Sequence, residues 1–200
     1  VNMESLRARI DIHAKLKEAQ KVVEKHNHHL DQLVAERTKE AEAATDITIR
    51  ALVGLLETRD IESFRHTTRT QMIMNTLCES LRSNDKYKDI LTDGYIFELI
   101  RTTPLHDIGK VGIPDNILLK PGKLTPEEFE IMKKHVNFGT EALKKEQHCK
   151  EEDLPYFVKI ALEIIGAHHE KWDGSGYPLG ISGEDIPLPG RLMAIIDVYD

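Results

Sequence analysis

The chain has 200 residues, 40% hydrophobic and 30% charged, with a formal net charge of −7. That is enough apolar material for one good-sized core, and the acidic balance argues against a general nucleic-acid-binding surface. No apolar run approaches the ~20 residues of a membrane span and no signal peptide is visible; two cysteines, Cys78 and Cys149, argue against a disulfide framework and fit a reducing cytosol. The chain begins at Val1 and stops inside the apolar pattern "AIIDVYD", so it reads as a fragment of a longer polypeptide.

Residues 1–57 have their own grammar. All eight prolines lie at or after Pro104, as do ten of the twelve glycines. Up to Glu57 only Gly54 interrupts a run of helix formers, which predicts one long helix of up to ~85 Å at ~1.5 Å per residue. Ile12, Leu16, Ala19, Val23, His26, Leu30 and Leu33 alternate spacings of three and four, an a/d seam with a polar lapse at His26. Such a segment is either a solvated linker helix or a parallel coiled coil that pairs two copies, and a homodimer is the expectation adopted.

From residue 58 to residue 200 the pattern is that of a compact helical domain. Apolar residues recur at helical spacing through Met72, Ile73, Leu77 and Leu81, then Ile96, Leu99 and Ile100, then Phe129, Ile131 and Met132, then Ile160, Ala161, Ile164 and Ile165. "LTPEEFEIMKKH" predicts a helix capped by Thr125, with Pro126 in the first turn and Glu128 completing a capping box. No run of alternating β-branched residues calls for a sheet. The fold class is all-α.

The chemistry-bearing residues follow the same order. Glu62 and His66 stand four apart on one helix face, His106 and Asp107 are adjacent in "PLHDIGKVGIPD", and His135 ends "MKKH". His168 and His169 fall in "IIGAHHEKWDGSGYP", and Asp197 in "AIIDVYD", with Asp200 close behind. Taken singly, each has an ordinary structural reading: a satisfied core histidine, a helix cap, a surface ion pair. Together they bring five of the ten histidines and two aspartates to apolar helix faces, where imidazole and carboxylate groups must be paired or bound to metal. The mixed nitrogen and oxygen set suits iron, manganese or zinc, and more ligands are present than one tetrahedral ion uses. Asp107 has two oxygens with which to bridge two ions. Two metals ~3.5–4 Å apart can hold a hydroxide and clamp a phosphate for in-line displacement. Lys110, one turn on, either meets a phosphate oxygen or is a surface lysine at a helix C-terminus. Asp200 either hydrogen-bonds a ligand histidine or is a plain helix residue.

"HDIGKVGIPD" at 106–115, His135 in "MKKHVNFG", "HHEKWDGSGYP" at 168–178 and "IPLPGRLMAIIDVYD" at 186–200 together resemble the HD-GYP family, a bacterial branch of the HD phosphohydrolase superfamily. The resemblance covers roughly residues 58–200. It implies an all-helical HD-type fold that hydrolyses cyclic di-GMP to linear pGpG or onward to GMP. It implies His66, His106, Asp107, His135, His168, His169 and Asp197 as ligands of two or three divalent ions, iron or manganese by family usage. Glu62 stands where the family's third-metal glutamate does, Lys110 where a lysine contacts substrate phosphate. Gly176, Tyr177 and Pro178 form the loop that shapes the site and a surface for partners such as diguanylate cyclases.

Two departures accompany the match. Phe64 replaces a glycine of the family pattern between Glu62 and His66, adding bulk there, and the sequence stops before the segment in which relatives carry Arg and Lys that touch phosphate. The opening "VNMESLRARIDIHAKLKEAQ" resembles the end of a response-regulator receiver domain entering its linker helix. Other readings are a non-catalytic cyclic di-GMP receptor or interaction module, and another HD-superfamily nucleotide phosphohydrolase.

Overall fold

With no proline before residue 104 to break it, helix α1 runs from Met3 to Glu57 in the computed structural model, which describes residues 3–59, 64–145 and 153–200. The chain divides into two compact units, Val1–Ile47 and Thr48–Asp200, with the boundary inside this helix. In the first unit the seam residues Ile12, Leu16, Ala19, Val23, His26, Leu30 and Leu33 are all exposed in the single chain.

The second unit begins with the last turns of α1. Ile49, Val53 and Leu56, spaced four and three apart, are buried, and Ile49 and Val53 pack with Leu105, Ala161 and Ile165. Then follow α2 (Phe64–Arg82), α3 (Asp93–Thr102), α4 (Asp115–Leu118), α5 (Pro126–Met132), α6 (His135–Lys145), α7 (Tyr156–Ala167) and α8 (Leu188–Tyr199). Short 3-10 turns occupy Thr103–Leu105, Ile108–Gly112 and Gly183–Asp185. Among the described residues there is no strand, as an all-α chain requires. The expected capping box forms: the Thr125 hydroxyl accepts from the Glu128 amide, and the Glu128 carboxylate accepts from the Thr125 amide.

The main core joins α2, α3, α7 and α8 through Met74, Cys78, Leu91, Ile96, Leu99, Ile160, Ile164, Leu192, Met193 and Ile196. Each such aliphatic side chain contributes about 1.5–3 kcal/mol on burial. α7 is buried on two sides, Ile160 and Ile164 facing this core while Ala161 and Ile165 face the end of α1. The inward face of α2 differs from the apolar spacing expected there. Its fully buried positions are Thr70, Met74 and Cys78, four residues apart, whereas Met72 is 65% exposed. The Thr70 hydroxyl is satisfied internally by the carbonyls of His66 and Thr67, so a polar residue can sit on that face. Phe129, part of the apolar helical spacing, is also partly exposed.

A smaller cluster of Ile113, Ile117 and Leu118, backed by Leu124, Ile131 and Met132, anchors the segment after "HDIGK". The turn Ile108–Gly112 lies against the start of α6 so closely that a Cβ on Gly109 would come within 1.8 Å of the His135 carbonyl oxygen and 2.6 Å of the Gly139 amide nitrogen. Only glycine allows the two backbones to meet there. Gly109→Ala is therefore expected to lower stability by about 1–3 kcal/mol or to separate the two segments; a midpoint in urea unchanged from the wild type would refute this reading of the close approach.

Candidate metal centre

The adjacent His106 and Asp107 are turned inward by a change of helix type. α3 closes with the Thr102 and Thr103 hydroxyls donating to the carbonyls of Glu98 and Leu99, and the chain tightens into the 3-10 turn Thr103–Leu105. Leu105 is anchored in the cluster beneath α1, and Asp107 stands between two 3-10 turns. His135 is the first residue of α6, His168 caps the C-terminus of α7, His66 lies in the first turn of α2, and Asp197 lies in α8.

Three of the histidines are oriented by one device. His106 Nδ1 lies 2.9 Å from the Thr103 carbonyl oxygen, His135 Nδ1 2.8 Å from that of Met132, and His168 Nδ1 3.0 Å from that of Ile165. A carbonyl can only accept, so in each ring Nδ1 carries the proton and donates it. In His135 and His168 the Nε2 then presents a lone pair to the interior, which is the tautomer a metal needs, and His106 reaches that form once its second proton is displaced.

The three Nε2 atoms converge on one carboxylate. Asp107 Oδ1 is 3.3 Å from His135 Nε2 and 3.7 Å from His168 Nε2, while Oδ2 is 3.2 Å from His106 Nε2 and 2.9 Å from Lys110 Nζ. His106 Nε2 lies 3.8 Å from Asp197 Oδ1. The ligand atoms fall into two groups, Asp107 with His135, His168 and His169, and His66 with His106 and Asp197, each within 4.8 Å. His135 Nε2 and His168 Nε2 are 3.4 Å apart, two acceptors facing one another. His106 Nε2 and Asp107 Oδ1 are buried without a hydrogen-bond partner among the described residues. Buried acceptors facing acceptors are unfavourable unless a cation lies between them. The donor set therefore fits metal ions.

The electrostatics agree. Burial lowers the pKa of His135, and burial with His168 and His135 nearby pushes His169 down to about 2, so both rings stay neutral. Burial would raise the pKa of Asp107, but the His106 imidazole beside it more than offsets this and holds the carboxyl well below its usual range. Burial likewise opposes protonation of His106, and Asp107 outweighs it, so that the His106 pKa is raised.

His66 is held from behind. Its Nδ1 lies 2.7 Å from Asp200 Oδ2, and Arg69 grips the same carboxylate with Nε 2.5 Å from Oδ1 and Nη2 2.6 Å from Oδ2. Asp200 thus hydrogen-bonds a candidate ligand, the first of the two roles open to it from sequence. Lys110 faces the cluster rather than solvent. Tyr177 stacks on His169 with ring centroids 4.7 Å apart, and Phe129 meets Tyr177 edge-on at 6.1 Å. Lys133 Nζ lies 5.0 Å from the Phe129 ring and 5.5 Å from that of Tyr177, which is why Phe129 serves this aromatic layer instead of the core. Gly176 has no room for a side chain, since a Cβ would lie 2.6 Å from the His169 carbonyl oxygen, and the Tyr177–Pro178 bond is cis. Glu62 lies outside the described residues.

Sequence reasoning missed two carboxylates. Glu57, with Val53, Leu56, Thr67 and Pro104, lines a narrow slot that reaches His66, His106, Asp107 and Lys110, and accepts a hydrogen bond from the Thr67 hydroxyl. No sequence spacing ties residue 57 to this slot. Glu170 is buried beside the histidine pair, and its place in "HHEKWDGSGYP" was the available signal. A larger groove of about 650 Å³, lined by Val136, Leu162, Leu179 and Ile181 among others, carries none of the candidate ligands. The chemistry sits at the slot, where the titratable groups converge.

Comparison with known proteins agrees with this architecture. A family model described as "HD domain" matches residues 51–200. The chain is 46% identical over its full length to a "Probable cyclic di-GMP phosphodiesterase" of Vibrio cholerae serotype O1, covering 45% of that protein. It is 49% identical over 175 residues, 87% of the chain and 35% of the relative, to a "Cyclic di-GMP phosphodiesterase" of the same organism. Over 149 residues, 74% of the chain and 26% of the relative, it is 40% identical to that organism's "3'3'-cGAMP-specific phosphodiesterase 2". The chain spans less than half the length of these curated relatives. With its paired histidine and aspartate, its second histidine pair and its Gly-Tyr-Pro loop on an all-helical frame, the chain belongs to the HD domain family, in the HD-GYP branch.

Proposed function

We propose that this chain is the catalytic part of a metal-dependent phosphodiesterase that opens cyclic di-GMP to pGpG, or onward to GMP. The observation that carries the proposal is the Asp107 carboxylate, with one oxygen toward His135 and His168 and the other toward His106. In this reading Asp107 would be shared by the two groups of ligands. His135, His168 and His169 would hold one ion with it, His66, His106 and Asp197 another, and Glu62 would serve a third. Iron or manganese suits these nitrogen and oxygen donors. Bound ions would supply a water of lowered pKa and a clamp for the phosphate.

The chain's own groups do the rest. Lys110 is held by Asp107 at the slot, with its ammonium placed to meet a phosphate oxygen or the departing sugar oxygen. Asp200 and Arg69 fix the plane of the His66 ring, and burial keeps His135 and His169 neutral so that neither needs to lose a proton before ligating. The seam on α1 pairs two copies in a parallel coiled coil, the cytosol is the compartment, and the Gly-Tyr-Pro loop is the surface for protein partners. The relative named for 3'3'-cGAMP supports a second substrate reading, in which this site opens that mixed cyclic dinucleotide instead.

Elemental analysis of anaerobically purified protein is expected to find two or three iron or manganese ions per chain, with linear product formed from cyclic di-GMP in the same sample. Absence of metal under every loading condition would sink the proposal, and turnover of 3'3'-cGAMP alone would select the second substrate. His106→Ala and Asp107→Ala are each expected to reduce turnover by at least about 10²-fold; a variant that kept full rate would exclude that residue from the site. The raised pKa of His106 sets a pH dependence. Below that pKa a metal must displace the His106 proton, so apparent affinity rises with pH through neutrality and levels off once His106 is deprotonated. Calorimetric titrations between pH 6 and 9 showing a flat affinity would contradict this.

A further inference from the structure

The loop that bears Tyr177 is tied down from within. Glu170 is buried, only 3% exposed, immediately after His169. Its Oε1 accepts from the Leu179 amide at 2.7 Å and the Gly180 amide at 3.1 Å, two residues beyond the Gly-Tyr-Pro triplet. Its Oε2 has no hydrogen-bond partner among the described residues. A buried carboxyl with one oxygen unsatisfied is unfavourable, and a structure that keeps one gains something specific from the oxygen it does use.

What it gains is a closed turn. The Tyr177 amide donates to the His169 carbonyl at 3.2 Å at one end of the loop, and Glu170 holds the amides of Leu179 and Gly180 at the other. Just before the first tie Gly176 lies flat against the backbone of Glu170 and Lys171. The Tyr177 ring is thereby laid on His169, whose other close neighbours are His168, with centroids 4.0 Å away, and His135, 5.1 Å away. Among the described residues His169 makes no hydrogen bond from a ring nitrogen to a backbone carbonyl, unlike His106, His135 and His168. Its ring plane is set by stacking.

We propose that Glu170 is a positioning residue: by clamping the Leu179 and Gly180 amides it holds Tyr177 against His169 and so orients His169 as a metal ligand. The proposal deepens the phosphodiesterase reading, but its metal and fluorescence measurements do not depend on which substrate is cut. Three variants test it in the full chain: Glu170→Ala, Glu170→Gln and Tyr177→Ala. Trp172, the chain's single tryptophan, reports on the loop.

Glu170→Ala is expected to lower the fluorescence anisotropy of Trp172, which is 64% exposed on the same loop, and to weaken manganese or iron binding by about 10–100-fold, the usual loss when a group orienting a ligand is removed. Glu170→Gln, whose amide oxygen can accept the same two bonds, is expected to restore both. Tyr177→Ala leaves the clamp in place and removes only the stack, so it is expected to reproduce the affinity loss, and the double variant to add nothing further. Tyr177→Ala alone decides the matter if Glu170→Ala does not fold. Metal affinity unchanged in Tyr177→Ala, or Glu170→Gln behaving like Glu170→Ala, would overturn the proposal. The expected losses of metal affinity together with no turnover of any cyclic dinucleotide by the metal-loaded wild type would leave the proposal standing and defeat the phosphodiesterase reading.

Discussion

One carboxylate, Asp107, buried among the ring nitrogens of three histidines, is the constraint on which the globular unit depends. Its two oxygens face different histidines, so the segments carrying those histidines must approach from opposite sides. That requirement explains why the chain changes helix type at Thr103, why a glycine stands at 109 and why α6 begins at His135 itself. A bare anion in such a place would be costly, and Lys110 and His106 supply the positive charge that offsets it.

The same economy governs the histidines. A helix leaves its last carbonyls without partners, and His168 uses the final carbonyls of α7 to fix its own tautomer. His106 does so with the 3-10 turn that precedes it, and His135 with the end of α5. Helix ends that would otherwise need water or a cap become the means of aiming nitrogen atoms. His66 is held by a side chain instead, its Nδ1 against Asp200, itself gripped by Arg69.

Much of this was legible in the sequence, and the exceptions have physical causes. The long helix and the capped α5 follow from local propensity and spacing, and the helical domain from apolar periodicity. The convergence of His66, His106, Asp107, His135, His168, His169 and Asp197 could be anticipated because each sits on or beside an apolar stripe. The inward face of α2 could not be read from hydrophobicity, because Thr70 is buried by satisfying its hydroxyl within the helix while Met72 is left outside. Phe129 shares the apolar spacing of Ile131 and Met132 yet serves an aromatic layer with Tyr177 and Lys133, which depends on a loop fold that periodicity does not describe. Glu57 escaped notice because its link to Thr67 is made in three dimensions, and Glu170 because adjacency to a histidine pair does not reveal which amides a carboxylate will hold.

The double burial of α7 bears on how such a domain can change over generations. Because one side of the helix packs on the main core and the other beneath α1, and because His168 caps its end, a substitution in either core shifts the same imidazole. Drift that merely refits apolar volume elsewhere in a protein is here transmitted to the centre, since close-packed interiors pass strain along rather than absorb it. Ile160, Ala161, Ile164 and Ile165 are thus subject to selection for geometry as well as for hydrophobicity, and the surface of the domain, not its interior, is where sequence is free to diverge.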